Sequence, residues 1–400
     1  MTKLLRRFHL LSFPEDRVYV LLTDNVRGKL FTLAIKSMGS QERLAGELGV
    51  SETMVSKWRR GSNKCSNRPC VQCTPLWALK RILHVIPLAY RPTIQEIEEN
   101  VVKYQAKGGS PVLNPRLPLI EDERLVRIFF HIAGDGYGGQ FGGARPFYYN
   151  TNLAVMEEFV NDLKVFGDVY TWFEEGKFRV FFSKVAAHVI KHIYKTNFMS
   201  YEVRVPQEFF GLDAHIIAQG IKALADDEGT VLPYRVKICS VNKPFLCDVQ
   251  KLLIKKLPEF SGHVVINNSG GVYNLVIRSG GIESFVKRIG FTHTQKSVDL
   301  KLLLRMKNGM GKSAADAVNT RIRILKELTN GKRTSRELMY ALEVSSEIVR
   351  NLVVGYGSHG KHILGLQELG LVEGKKGPKG RIWKITIKGK KQVASTNHIF

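Results

Sequence analysis

The sequence predicts an α+β protein in which a unit of the order αββαββα occurs twice in the middle of the chain, between two small helical domains. Two apolar helical segments, residues 124–136 and 215–229, each end in an acid followed at once by glycine. Strand-like segments and amphipathic helices follow each of them in the same order. The repeat of the whole unit predicts a pseudo-twofold arrangement within one chain.

In each of these two segments the terminal acid, Asp135 or Glu228, falls on the helical face that carries the apolar residues. Gly136 and Gly229 stand where a helix commonly ends in a left-handed cap. A carboxylate there meets the negative end of the helix dipole, and two such ends side by side repel each other. A bound divalent cation would remove both penalties and suits metal-dependent cleavage of a phosphodiester. The alternative is a pair of core helices whose acids are solvated.

Residues 128–136 and 221–229 resemble the two nine-residue motifs of single-chain LAGLIDADG homing endonucleases. In that family each motif is followed by a four-stranded sheet and helices, and the two halves form a saddle that straddles DNA. The resemblance covers about residues 119–306, with halves at about 119–206 and 207–306. It implies a pseudo-symmetric LAGLIDADG saddle for this part of the chain.

The resemblance also implies an activity, the Mg²⁺-dependent or Mn²⁺-dependent, site-specific cleavage of double-stranded DNA. Asp135 and Glu228 would be catalytic and would bind the metal. The family also places a basic residue near the cleavage site; Lys237 is the candidate here, and a structural strand lysine is the alternative. Basic residues of the two sheets would contact DNA: Arg145, Lys177, Arg179, Arg235, Lys237 and Arg278.

The two motifs depart from the family at their early positions. Small residues usually stand there because the two helix backbones cross closely. This chain has Phe129 and Phe130 in the first helix and Lys222 in the second. We therefore expect a looser or rotated crossing, which would change the spacing of the two acids.

Residues 40–61 predict a helix, a tight turn at Gly49 and a second helix capped by Ser51. This pattern resembles the helix-turn-helix of phage-repressor-type DNA-binding domains, which implies that the second helix lies in the major groove. A helical hairpin that binds another protein is the alternative. We assign residues 1–110 to this domain. Its outward, DNA-contacting residues would be Thr53, Ser56, Lys57, Arg59 and Arg60.

Three closely spaced thiols, Cys65, Cys70 and Cys73, could hold Zn²⁺ with His84 or His9 as a fourth ligand. No second cysteine or histidine pair follows, so three free cysteines in an inserted loop are the preferred interpretation. Five cysteines in all, an odd number, indicate no disulfide framework and favour a reduced, cytoplasmic protein.

The rest of the N-terminal region predicts two further helices, over residues 75–86 and near residues 93–105. Residues 106–118 are rich in glycine, proline and small polar residues, which is typical of a linker. We therefore place the boundary of the first domain in this stretch.

Residues 319–400 predict three helices followed by a basic, glycine-rich β-hairpin. This order resembles a winged helix, and a disordered basic tail is the alternative. The wing would lie close to the phosphate backbone, where contacts position a protein without reading sequence. The residues concerned would be Lys375, Lys376, Lys379 and Arg381.

The composition gives a net charge of +24, which predicts a polyanionic partner, and double-stranded DNA is the leading choice. No apolar run of transmembrane length occurs, and we expect a monomer with neither a membrane nor a small-molecule ligand. The leading interpretation is a DNA endonuclease. A nuclease-silent, sequence-specific DNA-binding regulator on the same fold is the second, and a partner of intron RNA is the third.

Overall fold

The predicted α+β class is confirmed by the computed structural model, which contains helices and several antiparallel sheets. Its backbone contacts divide the chain into two units. The first comprises residues 1–230, 238–276 and 287–294, and the second comprises 231–237, 277–286 and the chain from 295 onward. The structure describes residues 5–61, 73–139, 144–174, 177–232, 234–309, 314–344, 346–358, 361–377 and 380–396.

The N-terminal region combines a helical group with short strands. Two of its helices, Gln41–Leu48 and Glu52–Arg60, are joined by a short turn, and Gly49 between them has the left-handed φ of 67° that such a turn requires. The elements in chain order are β1 Arg7–Phe8, β2 Tyr19–Leu22, α1 Asp24–Met38, α2 Gln41–Leu48, α3 Glu52–Arg60, β3 Thr74–Pro75, α4 Leu76–Val85, α5 Ile94–Glu99, β4 Val101–Gln105, β5 Val112–Leu113 and β6 Leu119–Ile120.

The central region begins with the first of the two acid-terminated helices. Asp122 caps it by accepting the backbone N–H groups of Arg124 and Leu125. The elements of this half are α6 Glu123–Ala133, β7 Gly136–Tyr137, β8 Phe147–Tyr149, α7 Leu153–Leu163, β9 Asp168–Val169, β10 Trp172–Glu174, β11 Arg179–Phe181 and α8 Lys184–Ile193.

The second half has the order helix, strand pair, helix, strand pair and helix, and the first half differs from it by the additional strand β9. Its elements are α9 Ala214–Glu228, β12 Gly229–Leu232, β13 Arg235–Ser240, α10 Lys243–Lys256, β14 Val264–Ser269, β15 Val272–Arg278, α11 Ile282–Arg288 and α12 Thr294–Gly309. Each half contributes a four-stranded sheet, with the strand orders β10-β11-β8-β7 and β12-β13-β15-β14.

The C-terminal region contains the predicted basic hairpin, formed by two strands that pair from Val372 with Ile385 to Gly377 with Gly380. Its core is built around Trp383, Leu338 and Val353. The elements are α13 Ala314–Thr329, β16 Arg333–Thr334, α14 Ser335–Leu342, α15 Ser346–Val354, β17 Gly355–Ser358, β18 Lys361–Leu364, β19 Val372–Gly377, β20 Gly380–Ile385 and α16 Ile387–Thr396.

The stretch predicted to be a linker contains strand β5. This strand pairs with β4 on one side and with β9 on the other, so that one five-stranded sheet has the order β3-β2-β4-β5-β9. Val112 pairs with Val169 and is fully buried. The linker interpretation of residues 106–118 is therefore wrong, because two apolar residues in a polar stretch are enough to form this short strand.

No helix among the described residues is long and apolar enough to cross a bilayer.

Candidate acidic site and nucleic-acid interface

The two acid-terminated helices, α6 and α9, pack directly against each other. Gly220 makes the close approach possible, because a Cβ atom there would lie 2.6 Å from the ring of Phe130 and 2.7 Å from Val126. Phe129 packs into an aromatic cluster with Tyr194 and Phe209. The large early residues of the first motif are thus accommodated by a glycine on the opposite helix.

Lys222 also stays out of the helix crossing. Its Nζ atom lies 3.2 Å from the carboxylate of Glu158 on α7. The positive charge holds the pKa of Glu158 below its usual value in spite of partial burial. This lysine therefore links α9 to a neighbouring helix without separating α9 from α6.

The glycines after the two acids are required for a reason other than the predicted left-handed caps. Gly229 has φ −81° and ψ 148°, which is extended backbone, and Gly136 begins strand β7. A Cβ atom at Gly136 would lie 2.4 Å from the Cα atom of Ile132, and one at Gly229 would lie 2.1 Å from the carbonyl oxygen of Ala225. The chain turns so sharply from helix into strand that only glycine clears the helix it has just left.

Asp135 and Glu228 are the two acids that the sequence singles out. Glu228 is the last residue of α9, whereas Asp135 lies two residues beyond the end of α6. Both are half-buried. The backbone carbonyl of Asp135 accepts the N–H of Tyr149, which ties the acid to strand β8.

This pair of carboxylates fits Mg²⁺, which proteins usually bind with one or two carboxylates while water completes the coordination shell. Among the described residues there is no group of three or more histidine, cysteine or acidic side chains able to hold a metal ion. Carboxylate oxygens are the donor type that suits Mg²⁺ and Mn²⁺.

Asp227, whose carboxylate is fully buried next to the candidate site, was not among the residues predicted from the sequence. It accepts hydrogen bonds from the hydroxyl of Tyr148 and from Asn150 Nδ2, the latter at 3.0 Å. His131 Nδ1 lies 3.0 Å from its other oxygen. Burial opposes protonation of His131, but the charge of Asp227 and their hydrogen bond raise the pKa of the imidazole. Asp227 thus joins α9 to α6 and β8.

Asp226 is also buried and performs a different task. Its carboxylate accepts the backbone N–H groups of Thr292 at 3.1 Å and His293 at 2.8 Å, just before α12. Burial raises the pKa of this carboxyl to about 6, although the two amide donors act in the opposite direction. Of three consecutive acids, two are therefore held in buried networks. A run of acids at the end of an apolar helix was the signal that could have revealed them.

Among the candidate DNA-contacting residues of the first sheet, Arg179 lies on β11 on the side opposite the buried Val180, and Arg145 and Lys177 precede strands β8 and β11. Arg145 and Lys177 are exposed, and Arg179 is half-buried. Glu174 accepts from Lys177 Nζ at 2.5 Å and from Arg179 Nη1 at 3.3 Å. The guanidinium of Arg179 also lies over the ring of Phe147, 4.4 Å from its centroid. Arg179 is therefore held flat against an aromatic side chain.

On the second sheet, Arg235 is exposed and Lys237 is half-buried, while Val236 between them is fully buried. The alternation puts both basic residues on the outer side of β13. Arg278 is exposed at the end of β15. The catalytic role of Lys237 stays a prediction.

Helix α3 exposes most of the residues predicted to contact DNA, and their role stays a prediction. Thr53, Lys57, Arg59 and Arg60 are exposed, while Val55 and Trp58 are buried. Ser56, which was predicted to point outward, is half-buried, and its hydroxyl accepts from Gln41 Nε2 at 3.0 Å.

Arg27 of α1 fixes the end of α3 from inside the domain. Its Nε donates to the carbonyl of Arg59 at 3.0 Å and its Nη2 donates to that of Arg60 at 2.7 Å. A Cβ atom at Gly61 would lie 2.3 Å from this guanidinium, and the φ of 57° there also favours glycine. The exposed helix is thus anchored at its C-terminal end by a buried cation.

Of the three thiols of the zinc hypothesis, Cys65 and Cys70 lie outside the described residues. Cys73 is buried against Leu21, and burial raises the pKa of its thiol to about 11. A thiol in this environment stays protonated and packs as a small apolar side chain. The described residues give the zinc site no support.

The basic residues predicted for the wing lie on the C-terminal hairpin. Lys375, Lys376 and Arg381 are exposed, with Lys376 opposite Arg381 in the register. Lys379 lies outside the described residues. The guanidinium of Arg381 lies 5.4 Å from the centroid of Trp383, which joins the tip of the hairpin to the core below it.

Comparison with known proteins gives matches that cover parts of the chain. No protein-family model matches it. Over 139 residues, 33% of this chain, the sequence is 27% identical to the DNA polymerase II large subunit of Thermococcus kodakarensis. The chain spans only 8% of the length of that protein.

Solved structures similar to this chain include a homing endonuclease and a protein with a LAGLIDADG domain. I-DmoI in complex with DNA and Mn is 18% identical, with 42% of this chain and 97% of that one covered and a TM-score of 0.31. Full-length DUF199/WhiA from Thermotoga maritima is 13% identical, with 58% and 88% covered and a TM-score of 0.33. The N-terminal LAGLIDADG domain of DUF199/WhiA is 17% identical, with 42% and 83% covered and a TM-score of 0.32. All three scores lie below 0.5, so the fold described here rests on the helices and sheets of this chain itself.

Proposed function

We propose that the chain is a site-specific, double-stranded DNA endonuclease that depends on Mg²⁺ or Mn²⁺. One observation carries the proposal: α6 and α9 pack against each other, and each leads through a glycine into a strand with an acid at the junction. The net charge of +24 supports DNA as the substrate. The homing endonuclease I-DmoI, solved in complex with DNA and Mn, is consistent with both parts of the proposal.

In this proposal Asp135 and Glu228 hold the metal, because they are the half-buried acids at the two helix ends. The chemistry that such an ion supplies is activation of water and neutralisation of charge at the phosphate. Asp226 and Asp227 act by holding Glu228 in position. Their buried hydrogen bonds fix the last turn of α9 and hence the backbone of Glu228. Lys237 is the proposed basic residue at the cleavage site.

The DNA-binding residues divide into two groups in this proposal. Thr53, Ser56, Lys57, Arg59 and Arg60 lie on α3, which would read bases in the major groove. The remaining basic residues would contact phosphates and set the register of the protein on the duplex. They are Arg145, Lys177, Arg179, Arg235, Lys237, Arg278, Lys375, Lys376, Lys379 and Arg381. A monomer with three DNA-binding regions, residues 1–110, 119–306 and 319–400, is the expected form.

The experiment starts from the best duplex selected out of a randomised pool. It is incubated with Mg²⁺ and the wild type, Asp135→Asn or Glu228→Gln. Asp213→Asn is the matched control, because Asp213 is an exposed acid at the other end of α9. We expect double-strand cleavage by the wild type and the control, and loss of cleavage with retained binding in the other two variants. Cleavage that survives both substitutions would overturn the assignment of the acids.

The second candidate function is that of a nuclease-silent, sequence-specific regulator. It is favoured by the exposed, anchored helix α3, which suffices for sequence-specific binding without any catalysis. Tight, selective binding with an intact duplex under both Mg²⁺ and Mn²⁺ is the result expected for it. In either function, Lys57→Ala and Arg60→Ala should change the preferred sequence, whereas removal of the wing should weaken binding evenly across sequences. Uniform weakening by the first two changes would contradict α3 as the reading helix.

A further inference from the structure

The outer side of the sheet β10-β11-β8-β7 carries a row of aromatic rings, one from each strand. Tyr137 stacks on Phe147 with centroids 5.3 Å apart and an interplanar angle of 28°. Phe147 meets Phe181 edge-on at 5.8 Å, and Phe181 stacks on Trp172 at 5.1 Å and 28°. These residues are direct cross-strand neighbours in the register. The rings form a continuous aromatic row across the sheet.

The row lies on the side of the sheet away from the core. Tyr148 and Val180, which alternate with the row along β8 and β11, are fully buried, and Tyr148 packs on Phe159 of α7. Alternation therefore puts Phe147, Phe181 and their neighbours on the opposite side. Cross-strand aromatic pairs also stabilise a sheet, but stability does not require the row to end in exposed rings.

The aromatic row ends at the edge of the sheet in an exposed indole. Trp172 is on edge strand β10 and is 45% exposed, and Phe181 is the ring that stacks on it among the described residues. Tyr149, two residues after Phe147 on β8, is a further exposed aromatic side chain on this side of the sheet. Exposed aromatic rings grouped on one side of a sheet are typical of a binding surface.

The chemistry of this surface fits bases that are unpaired. A duplex presents only base edges in its grooves, which are read by hydrogen-bonding groups. Phenylalanine and tryptophan rings offer flat faces, and flat faces stack on bases only where those bases have left the helix. Arg179 lies flat over Phe147, and Glu174 holds it there through a 3.3 Å bond, so its guanidinium plane extends the platform. The net charge of +24 favours a polyanion over a protein as the partner.

We propose that this aromatic row is a stacking platform for a single-stranded stretch of DNA, with a base continuing the stack on Trp172. The proposal rests on the proposed function only in taking DNA as the polymer that is bound. It differs from the proposed function in the state of the DNA at Trp172, where the bases would be separated, whereas the phosphates that the basic residues of the same sheet would contact are present in single strands and duplexes alike.

The test uses the full chain and a labelled oligodeoxythymidine of about 15 nucleotides, which spans one binding groove. Trp172→Leu keeps an apolar side chain but removes the flat ring, and we expect roughly 5- to 100-fold weaker binding. Tyr201→Leu is the matched control, since Tyr201 is 77% exposed and lies outside the sheet. It should bind as the wild type does. Trp172→Phe, the milder change, should fall between the two.

A second measurement needs no variant that could misfold. Trp172 is the most exposed of the four tryptophans, so a stacked base should quench its fluorescence when the oligonucleotide binds. Unchanged fluorescence at saturation, or equal affinity of Trp172→Leu and wild type, would overturn the proposal. Stronger binding of oligouridine, or of a duplex of the same length through the same residue, would also overturn it.

These experiments distinguish a failure of the stacking platform from a failure of the proposed nuclease function. A chain that binds oligodeoxythymidine through Trp172 but neither selects nor cleaves a duplex would sustain the platform and defeat the nuclease. Cleavage of a selected duplex by a chain whose Trp172 does not respond to single strands would do the reverse.

Discussion

The Nδ1 atom of His131 on α6 lies 3.0 Å from the Oδ2 atom of Asp227 on α9, and both side chains are fully buried. This bond crosses the interface between the two helices that carry the candidate acids. Tyr148 and Asn150 complete the set of donors around the same carboxylate. The crossing of α6 and α9 is therefore fixed by a buried polar network as well as by apolar packing.

Removal of this carboxylate should be among the most destabilising changes at the helix crossing. Asp227→Ala leaves the imidazole, the phenol and the amide without their shared acceptor, and we expect a loss of about 3–5 kcal/mol of unfolding free energy. Denaturant titration measures it. Asp213→Ala, at the exposed end of the same helix, should cost less than about 1 kcal/mol. Equal losses in the two variants would contradict a special role for the buried pair.

The second prediction concerns the space in which the helices meet. Gly220→Ala should destabilise the protein by about 1–3 kcal/mol, because the new methyl group would overlap Phe130 and Val126, although alanine favours a helix. Gly46→Ala is the matched control on α2, where no atom lies within 4 Å of the added Cβ. It should stabilise by about 0.5–1 kcal/mol. Thermal or denaturant unfolding compares them, and stabilisation by both changes would mean that the crossing is looser than described.

The third prediction is a pH dependence that originates in Asp226. Burial raises the pKa of this carboxyl to about 6 in the folded protein, against about 4 in the unfolded chain. Between about pH 4 and pH 6 the folded state therefore binds more protons than the unfolded chain does. The contribution of Asp226 to stability is greatest below about pH 4 and falls as the pH rises through about 6.

Asp226→Asn removes this titration but keeps only one of the two acceptor oxygens, so that either the N–H of Thr292, which donates to Oδ2, or that of His293, which donates to Oδ1, loses its acceptor at every pH. As the pH rises from about 4 to about 7, the unfolding free energy of the variant should increase relative to that of the wild type by at most about 3 kcal/mol. Denaturation of both proteins across this range measures the difference, in which the titration of all other groups cancels. A difference that does not change with pH would show that Asp226 titrates normally.

Local signals were sufficient where a segment is stabilised mainly by its own neighbours. Ser51 caps α3 and Gly49 adopts the left-handed turn, as its spacing predicted. Residues 93–105 were predicted to be one helix, but the helix covers only Ile94–Glu99 and strand β4 follows. Val101–Gln105 is a strand because β2 and β5 pair with it from distant parts of the chain.

In the candidate site, too, local signals in the sequence were sufficient for some residues, whereas others depend on contacts with distant parts of the chain. Asp135 and Glu228 could be named because an acid followed by glycine at a helix end is visible in the sequence. The role of Asp227 could not, since it depends on His131 and Tyr148, which a sequence does not place beside it. The glycines were identified correctly but for the wrong reason, because the clash that excludes a side chain arises from the path of the backbone after the helix.

The fourth prediction tests the link from the core of the N-terminal region to its exposed helix. Arg27 is 5% exposed and donates to the carbonyls of Leu22, Arg59 and Arg60. Arg27→Met keeps much of the packing but leaves those oxygens without this donor, so we expect a loss of about 1–3 kcal/mol in stability.

DNA selection should suffer together with stability, because the last turn of α3 carries two exposed arginines and loses its anchor in this variant. The preferred sequence from a randomised pool should become less defined at the positions read by that turn. Arg43→Met, an exposed arginine on α2, is the matched control and should change neither quantity. An Arg27→Met protein that is less stable yet selects the same sequence as sharply would show that α3 holds its shape without the buried guanidinium.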